Sequence, residues 1–248
     1  MKTVLSIAGL DPTGYAGSVA DALTINAFGL TPLTVITAVT AQTLTKVSKA
    51  EPVTATLLKS ELTEAVKVKR PSSVKIGMLG TAENVRVLRN FIKKNKLKNI
   101  ILDPVITSSS GKVLLEKKGV VELKRLLPLV TVVTPNTDEA ALLSGVKKNG
   151  IIGAKKAAEA LFGMGAKNVI ITGGHLKGAP IDILFNGKNF TEIKGKRIKA
   201  SKGALHGTGC IYSSALASNL AKGKSIKVSA VNAKRYLEEV IKKRKRLA

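Results

Sequence analysis

At 248 residues with 44% hydrophobic side chains, the chain is long enough to bury a large core and too apolar for disorder. Aromatics are only 3% and Trp is absent, so the core is aliphatic and stacking platforms are scarce; the net charge of +25 then reads as a basic surface suited to small anions, with nucleic acid an unlikely partner. One cysteine excludes an intrachain disulfide, two histidines are too few for a zinc centre, and no segment approaches the roughly 20 apolar residues of a membrane span, so a cytoplasmic protein with no membrane partner is expected.

Short β-branched runs alternate with longer helical patterns along the chain. "TVLSIA" (3–8) reads as a buried strand, followed by a glycine loop and a helix through "SVADALTINAFG". Next come strand "TVITAV" (34–39), helix "TATLLKSELTEAVK", strand "SVKIG", helix "AENVRVLRNFIKKN" and strand "NIILD", which ends at Asp103 and Pro104. A Ser-rich loop and a helix near 116–127 lead into "VTVVTPN", a strand and turn. Helix "DEAALLSG", a helix over 153–164 and strand "NVIITGG" precede a hairpin "APIDILFNGKNFTEIK" with its Asn-Gly turn. Helices over 207–222 and 225–244 close the chain, and the basic "KKRKRLA" complements the dipole of the last one. Strands separated by helices argue for one α/β domain over 1–248, with a mainly parallel sheet covered on both faces. In such sheets ligands bind beyond the carboxyl ends of the strands.

The unusual residues gather there. "HGTGC" (206–210) is a Gly-rich turn opening a helix, so Gly207, Thr208 and Gly209 expose backbone N–H groups to a phosphate, and Cys210 in the first turn is expected to have a lowered pKa. The competing explanation is tight packing at a helix start. The glycines of "AGLDPTGYAGSVAD" (8–21) permit close backbone approach to a ligand, yet the loop matches neither the dinucleotide fingerprint nor the Walker loop, and Asp21 on the ensuing helix has the place of a solvent-facing or capping carboxylate as well as of a ligand. Gln42 carries an amide that both donates and accepts, as a heteroaromatic edge requires, and its spacing fits a turn-stabilising role equally well. Asp103, with Asn136 and Glu139 of "TPNTDE", offers oxygen ligands for Mg²⁺ beside ATP phosphates; Asn136 and Glu139 also have the spacing of a capping box. "ITGGHL" (171–176) either cradles a nucleotide or is a turn.

Taken in order, "SIAGLDPTGYAGSVADALTINAFG", "VITAVTAQTL", "KIGMLGTAE", "ILDPVITSSSG", "VTPNTDEA", "ITGGHLKG" and "HGTGCIYSSALASNLAKG" resemble the hydroxymethylpyrimidine/phosphomethylpyrimidine kinases of thiamine biosynthesis, in the ribokinase superfamily. The resemblance runs nearly end to end. It implies a ribokinase-like fold and two ATP-dependent phosphorylations, of 4-amino-5-hydroxymethyl-2-methylpyrimidine and then of its monophosphate, by a homodimer. It implies that Gly9, Asp21 and Gln42 hold the pyrimidine, with Met78 and Val105 against the ring. Asp103 and Glu139 would belong to the Mg²⁺ environment, and Asn136, Thr172, Gly173 and Gly174 to the nucleotide site. Lys234 would reach ATP phosphates or lie solvated on its helix. Most of the superfamily places an Asp base where Cys210 stands. The chain departs from the pattern at Leu10 and Tyr15, where small residues are usual, at Ser109 for a common lysine (with Lys112 nearby), and at Ala204 and Leu205 for an Asn/Asp-Thr pair. A pyridoxal or pyridoxine kinase is the alternative enzyme, and a ligand sensor without turnover the alternative of another class.

Overall fold

The structure, a computed structural model, describes residues 1–174 and 179–247. The first half holds β1 (Thr3–Leu10), α1 (Gly17–Ala27), β2 (Thr31–Gln42), β3 (Val47–Pro52), α2 (Ala55–Val68), β4 (Ser73–Ile76), α3 (Ala82–Asn95) and β5 (Ile100–Leu102). The second holds α4 (Lys117–Leu126), β6 (Val132–Val133), α5 (Thr137–Ser144), α6 (Gly150–Gly163), β7 (Val169–Ile171), β8 (Ile181–Phe185), β9 (Phe190–Lys194), α7 (Thr208–Ala221) and α8 (Ile226–Leu247). Among the described residues, nine strands form one sheet in the order β3-β2-β1-β4-β5-β6-β7-β8-β9.

From β2 through β7 the neighbours run parallel, while β3 at one edge and the β8–β9 hairpin at the other are antiparallel. Successive residues of the central strands point to opposite faces, and both faces are apolar. Ile100 and Leu102 enter the core beneath α2 to α6, whereas Ile101 between them enters the core beneath α1, α7 and α8. Burying each such side chain stabilises the fold by about 1.5–3 kcal/mol. Thr54 and Thr81 cap α2 and α3 by accepting from Leu57 N and Asn84 N at 3.2 and 3.1 Å.

Two expectations about the strands need correction. β2 continues through Thr40 to Gln42, and strand β3 follows it, pairing Ala38 with Pro52 and Gln42 with Val47. "VSKAEP" is polar and ends in proline, tolerable only at a sheet edge, so it carries no apolar signal. The chain leaves β1 in one direction toward β2 and in the other toward β4, and this reversal opens a crevice at the carboxyl ends of both strands.

Candidate active site

A cavity of about 580 Å³ lies over these strand ends. Gly9 and Leu10 from the end of β1, Gln42 from β2, Met78 after β4, and Asp103 and Val105 after β5 line one part of it. Asn136 and Glu139 at the start of α5, Thr172 and Gly174 after β7, and Lys234 of α8 line another, and Gly207 to Cys210 at the start of α7 lie at its wall. Of the sixteen residues singled out from the sequence, fourteen therefore border one space; Asp21 and Gly173 do not.

Asp21 lies beneath the cavity with no exposed surface. Its carboxylate accepts from Ser6 Oγ at 2.6 Å, Ser214 Oγ at 2.7 Å and Lys75 Nζ at 2.8 Å, so both oxygens are committed inside the protein. Lys75, equally buried, stands between Val74 and Ile76 in a fully buried strand, and the carboxylates of Asp21 and Asp103 outweigh burial in keeping it charged. Gly173 sits under β8: a Cβ there would be 1.8 Å from the Ile181 carbonyl oxygen, and its N–H donates to Asp182 Oδ1 at 2.9 Å. His175 and Leu176 of "ITGGHL" lie outside the described residues.

Cys210 reverses another expectation. Burial pushes its thiol up to about 12; Lys75 and the N–H of Gly17 act the other way, but Asp103 and Asp21 add to the rise. The amide dipoles of one helix turn do not offset that environment. Lys234 is not a solvated lysine. It is 7% exposed and donates to Asp182 Oδ1 at 2.6 Å from the cavity wall.

Asn136 and Glu139 do form a capping box: Asn136 Oδ1 accepts from Glu139 N at 3.0 Å, and Glu139 Oε2 from Asn136 N at 3.0 Å. Burial, and after it the charge of Asp103, still pushes the Glu139 carboxyl up to about 8. Burial likewise raises Asp103, which accepts from Ser213 Oγ at 3.1 Å. Two buried carboxyls, one of them raised by the charge of the other, suit a hard divalent cation between or beside them. No group of three or more His, Cys, Asp or Glu gathers for a metal among the described residues, so such a cation would depend on phosphate and water oxygens as well, as Mg²⁺ usually does.

The departures also find their places. Leu10, Ser109 and Leu205 line the cavity. Tyr15 turns away from it, stacked on the guanidinium of Arg244. Lys112 donates to the Ser48 carbonyl at 2.5 Å and does not replace the missing charge at Ser109 in the cavity wall.

Residues 11–248 match the family described as Phosphomethylpyrimidine kinase. The chain belongs to the phosphomethylpyrimidine kinase family. It is accordingly a kinase, a phosphotransferase with a ribokinase-like arrangement of sheet and helices. It is 40% identical over 245 residues to the hydroxymethylpyrimidine/phosphomethylpyrimidine kinase of Aquifex aeolicus, covering 98% of this chain and 95% of that one. The phosphomethylpyrimidine kinase of Clostridium difficile superposes with a TM-score of 0.85 at 33% identity, covering 97% of this chain and all of that one. The pyridoxal kinase of Staphylococcus aureus in complex with AMP-PCP and pyridoxal superposes with a TM-score of 0.86 at 31% identity, over 96% and 87% of the two chains.

Several residues of this kinase site escaped the sequence. Lys75, Asp11, His206, Asp182 and Arg244 all find their partners far away in the chain. For Lys75 a signal did exist: a lysine inside a buried parallel strand needs a partner of opposite charge.

Proposed function

We propose that this protein is an ATP-dependent kinase that phosphorylates 4-amino-5-hydroxymethyl-2-methylpyrimidine and then its monophosphate to the diphosphate used to build thiamine. The observation that carries this reading is the single cavity in which Gly9, Gln42, Met78 and Val105 adjoin the glycine turn that opens α7. Gln42 would pair with the polar edge of the pyrimidine while Met78 and Val105 pack on its face. The backbone N–H groups of Gly207, Thr208 and Gly209 would surround the transferring phosphoryl group at the positive end of α7.

Phosphoryl transfer depends mainly on positioning and charge stabilisation, so the acceptor oxygen need not be deprotonated early. Cys210, a neutral thiol at its high pKa, would orient the acceptor hydroxyl and steer its approach. Asp21 supports this geometry from below, tying α1, β1, β4 and α7 together through Ser6, Lys75 and Ser214. ATP would lie toward Asn136, Thr172, Gly174 and Lys234, which line one part of the cavity, and the S. aureus neighbour, solved with an ATP analogue, supports ATP as the phosphoryl donor. Asp103 and Glu139 would hold Mg²⁺, whose charge offsets that of the phosphates when bound. The resemblance also supports a cytoplasmic homodimer and one catalytic unit over the chain.

The second reading, a pyridoxal kinase, is favoured by the pyridoxal complex of that same neighbour. Incubating the purified protein with ATP, Mg²⁺ and each alcohol and weighing the products separates the two. Mono- and diphosphate from the pyrimidine are expected; product from pyridoxal alone would contradict the proposal, and product from neither would point to a sensor.

A further inference from the structure

The C-terminal helix reaches back over the two loops that border the α7 N-terminus. Arg244, half-buried near the end of α8, donates through Nη1 to the His206 carbonyl at 2.6 Å and through Nη2 to the Tyr15 carbonyl at 3.1 Å. Its guanidinium carbon lies 4.1 Å from the centre of the Tyr15 ring. Nε2 of His206 meets Asp11 Oδ2 at 3.0 Å, and Asp11 accepts from the N–H groups of Thr13 and Ala16 at 2.8 and 2.9 Å. One side chain thus joins the loop after β1 to the loop before α7.

Beyond the burial of Ala204, the loop over 201–207 has few polar ties to the rest of the chain. Its other hydrogen bonds are local: Leu205 N to Ser201 O, His206 N to Gly203 O, Ala204 N to Ser201 Oγ, and Thr208 N and Ile211 N to the carbonyls of Leu205 and Gly207. Ala204 and Leu205 carry no side-chain donor or acceptor. Among the described residues, the hydrogen bonds from this loop to distant parts of the chain are His206 to Asp11 and Arg244 to His206. The contact between the two loops is tight, since a Cβ on Gly207 (φ +72) would be 1.9 Å from the Tyr15 carbonyl oxygen. A small shift of either loop would move Gly207 to Gly209 against the rest of the cavity.

We propose that Arg244 is a positioning residue for phosphoryl transfer: its guanidinium locks the 11–17 and 201–207 loops into one unit, with Tyr15 as the aromatic platform that holds it flat. This rests on the function proposed above. The chemistry calls for arginine, because a planar fork donates to two carbonyls while its face stacks on a ring, whereas an ammonium is a point charge. Tyr15, a departure from the small residue usual in this family, and Arg244 thereby take over the pinning that Ala204 and Leu205 lack.

The test combines amide hydrogen exchange with steady-state kinetics on the full chain. In Arg244→Ala and Arg244→Lys, exchange in peptides spanning 11–17 and 203–210 rises about tenfold, the scale of losing a hydrogen bond to a charged group, while β1, β4 and β5 keep their protection. In both variants kcat falls about tenfold or more, with KM for ATP little moved. Tyr15→Phe keeps wild-type exchange, and Tyr15→Ala follows Arg244→Ala. Unchanged exchange in both loops, loosening spread equally through the central strands, or full retention of kcat by Arg244→Lys would each overturn the proposal. Should Arg244→Ala fail to fold, the Tyr15 pair decides. If the wild-type protein phosphorylates no pyrimidine alcohol, the proposed function fails while the exchange pattern still decides the clamp.

Discussion

Cys210 shows how burial and charge outweigh position at a single residue. The first turn of a helix ordinarily lowers a thiol pKa, but here burial, Asp103 and Asp21 leave the group neutral near neutral pH. Its labelling by iodoacetamide at neutral pH is expected to be at least about tenfold slower than that of a small free thiol, read by intact mass. Fast, stoichiometric labelling would contradict the raised pKa. Cys210→Ala is expected to lower kcat by about tenfold or more while the melting temperature changes little, since the loss is one of orientation. Asp11 is the opposite case: burial pushes its carboxyl up, but hydrogen bonds from His206 and Thr13 bring it down to about 2. A depressed carboxyl stabilises the fold above its ordinary 3.8 and loses that contribution as pH falls toward about 2. Urea unfolding of wild type and Asp11→Asn should differ by on the order of 1–2 kcal/mol at neutral pH, with the gap closing only in strong acid. A gap that closes in the mildly acid range would contradict this assignment.

Between elements, the buried Lys75–Asp21 pair ties β4 to α1, and Ser6 and Ser214 extend it to β1 and α7. Lys75→Met leaves the Asp21 carboxylate uncompensated and is expected to cost about 3–5 kcal/mol in denaturant unfolding. Lys75→Met with Asp21→Asn should cost less than the sum of the single changes by about 1–3 kcal/mol; strict additivity would mean that the two charges do not stabilise each other. This pair also marks what the sequence could and could not convey. "SVKIG" has the β-branched run of a central strand, and Asn136 and Glu139 have the spacing of a cap, so β4 and the start of α5 were legible locally. That Asp21 faces inward toward Lys75, and that Lys234 meets Asp182 of the hairpin, depends on which strands become neighbours. β3 was illegible for another reason: an edge strand needs no apolar face, and "VSKAEP" offers none.

For the whole molecule the dominant property is charge. The excess of 41 basic over 16 acidic residues makes the folded chain repel itself, while Arg244, beside the loops that border the start of α7, is bound up in holding them together. Salt near 0.1 M shortens the reach of that repulsion to about 10 Å, so the melting temperature is expected to rise by about 2–4 °C between low and moderate NaCl in scanning calorimetry. A fall over that range would mean that attractive pairs dominate. At the same scale, the reversal of strand order between β1 and β4 brings the conspicuous loops together, which is why nearly all of the expected residues border one cavity. The most direct measurement is a competition in which hydroxymethylpyrimidine and pyridoxal are offered together with limiting enzyme, ATP and Mg²⁺, and the products are resolved by mass over time. Early appearance of the pyrimidine monophosphate, followed by its diphosphate, with pyridoxal phosphate trailing, is the expected course. Preferential phosphorylation of pyridoxal would contradict the assignment of this cavity to a pyrimidine alcohol.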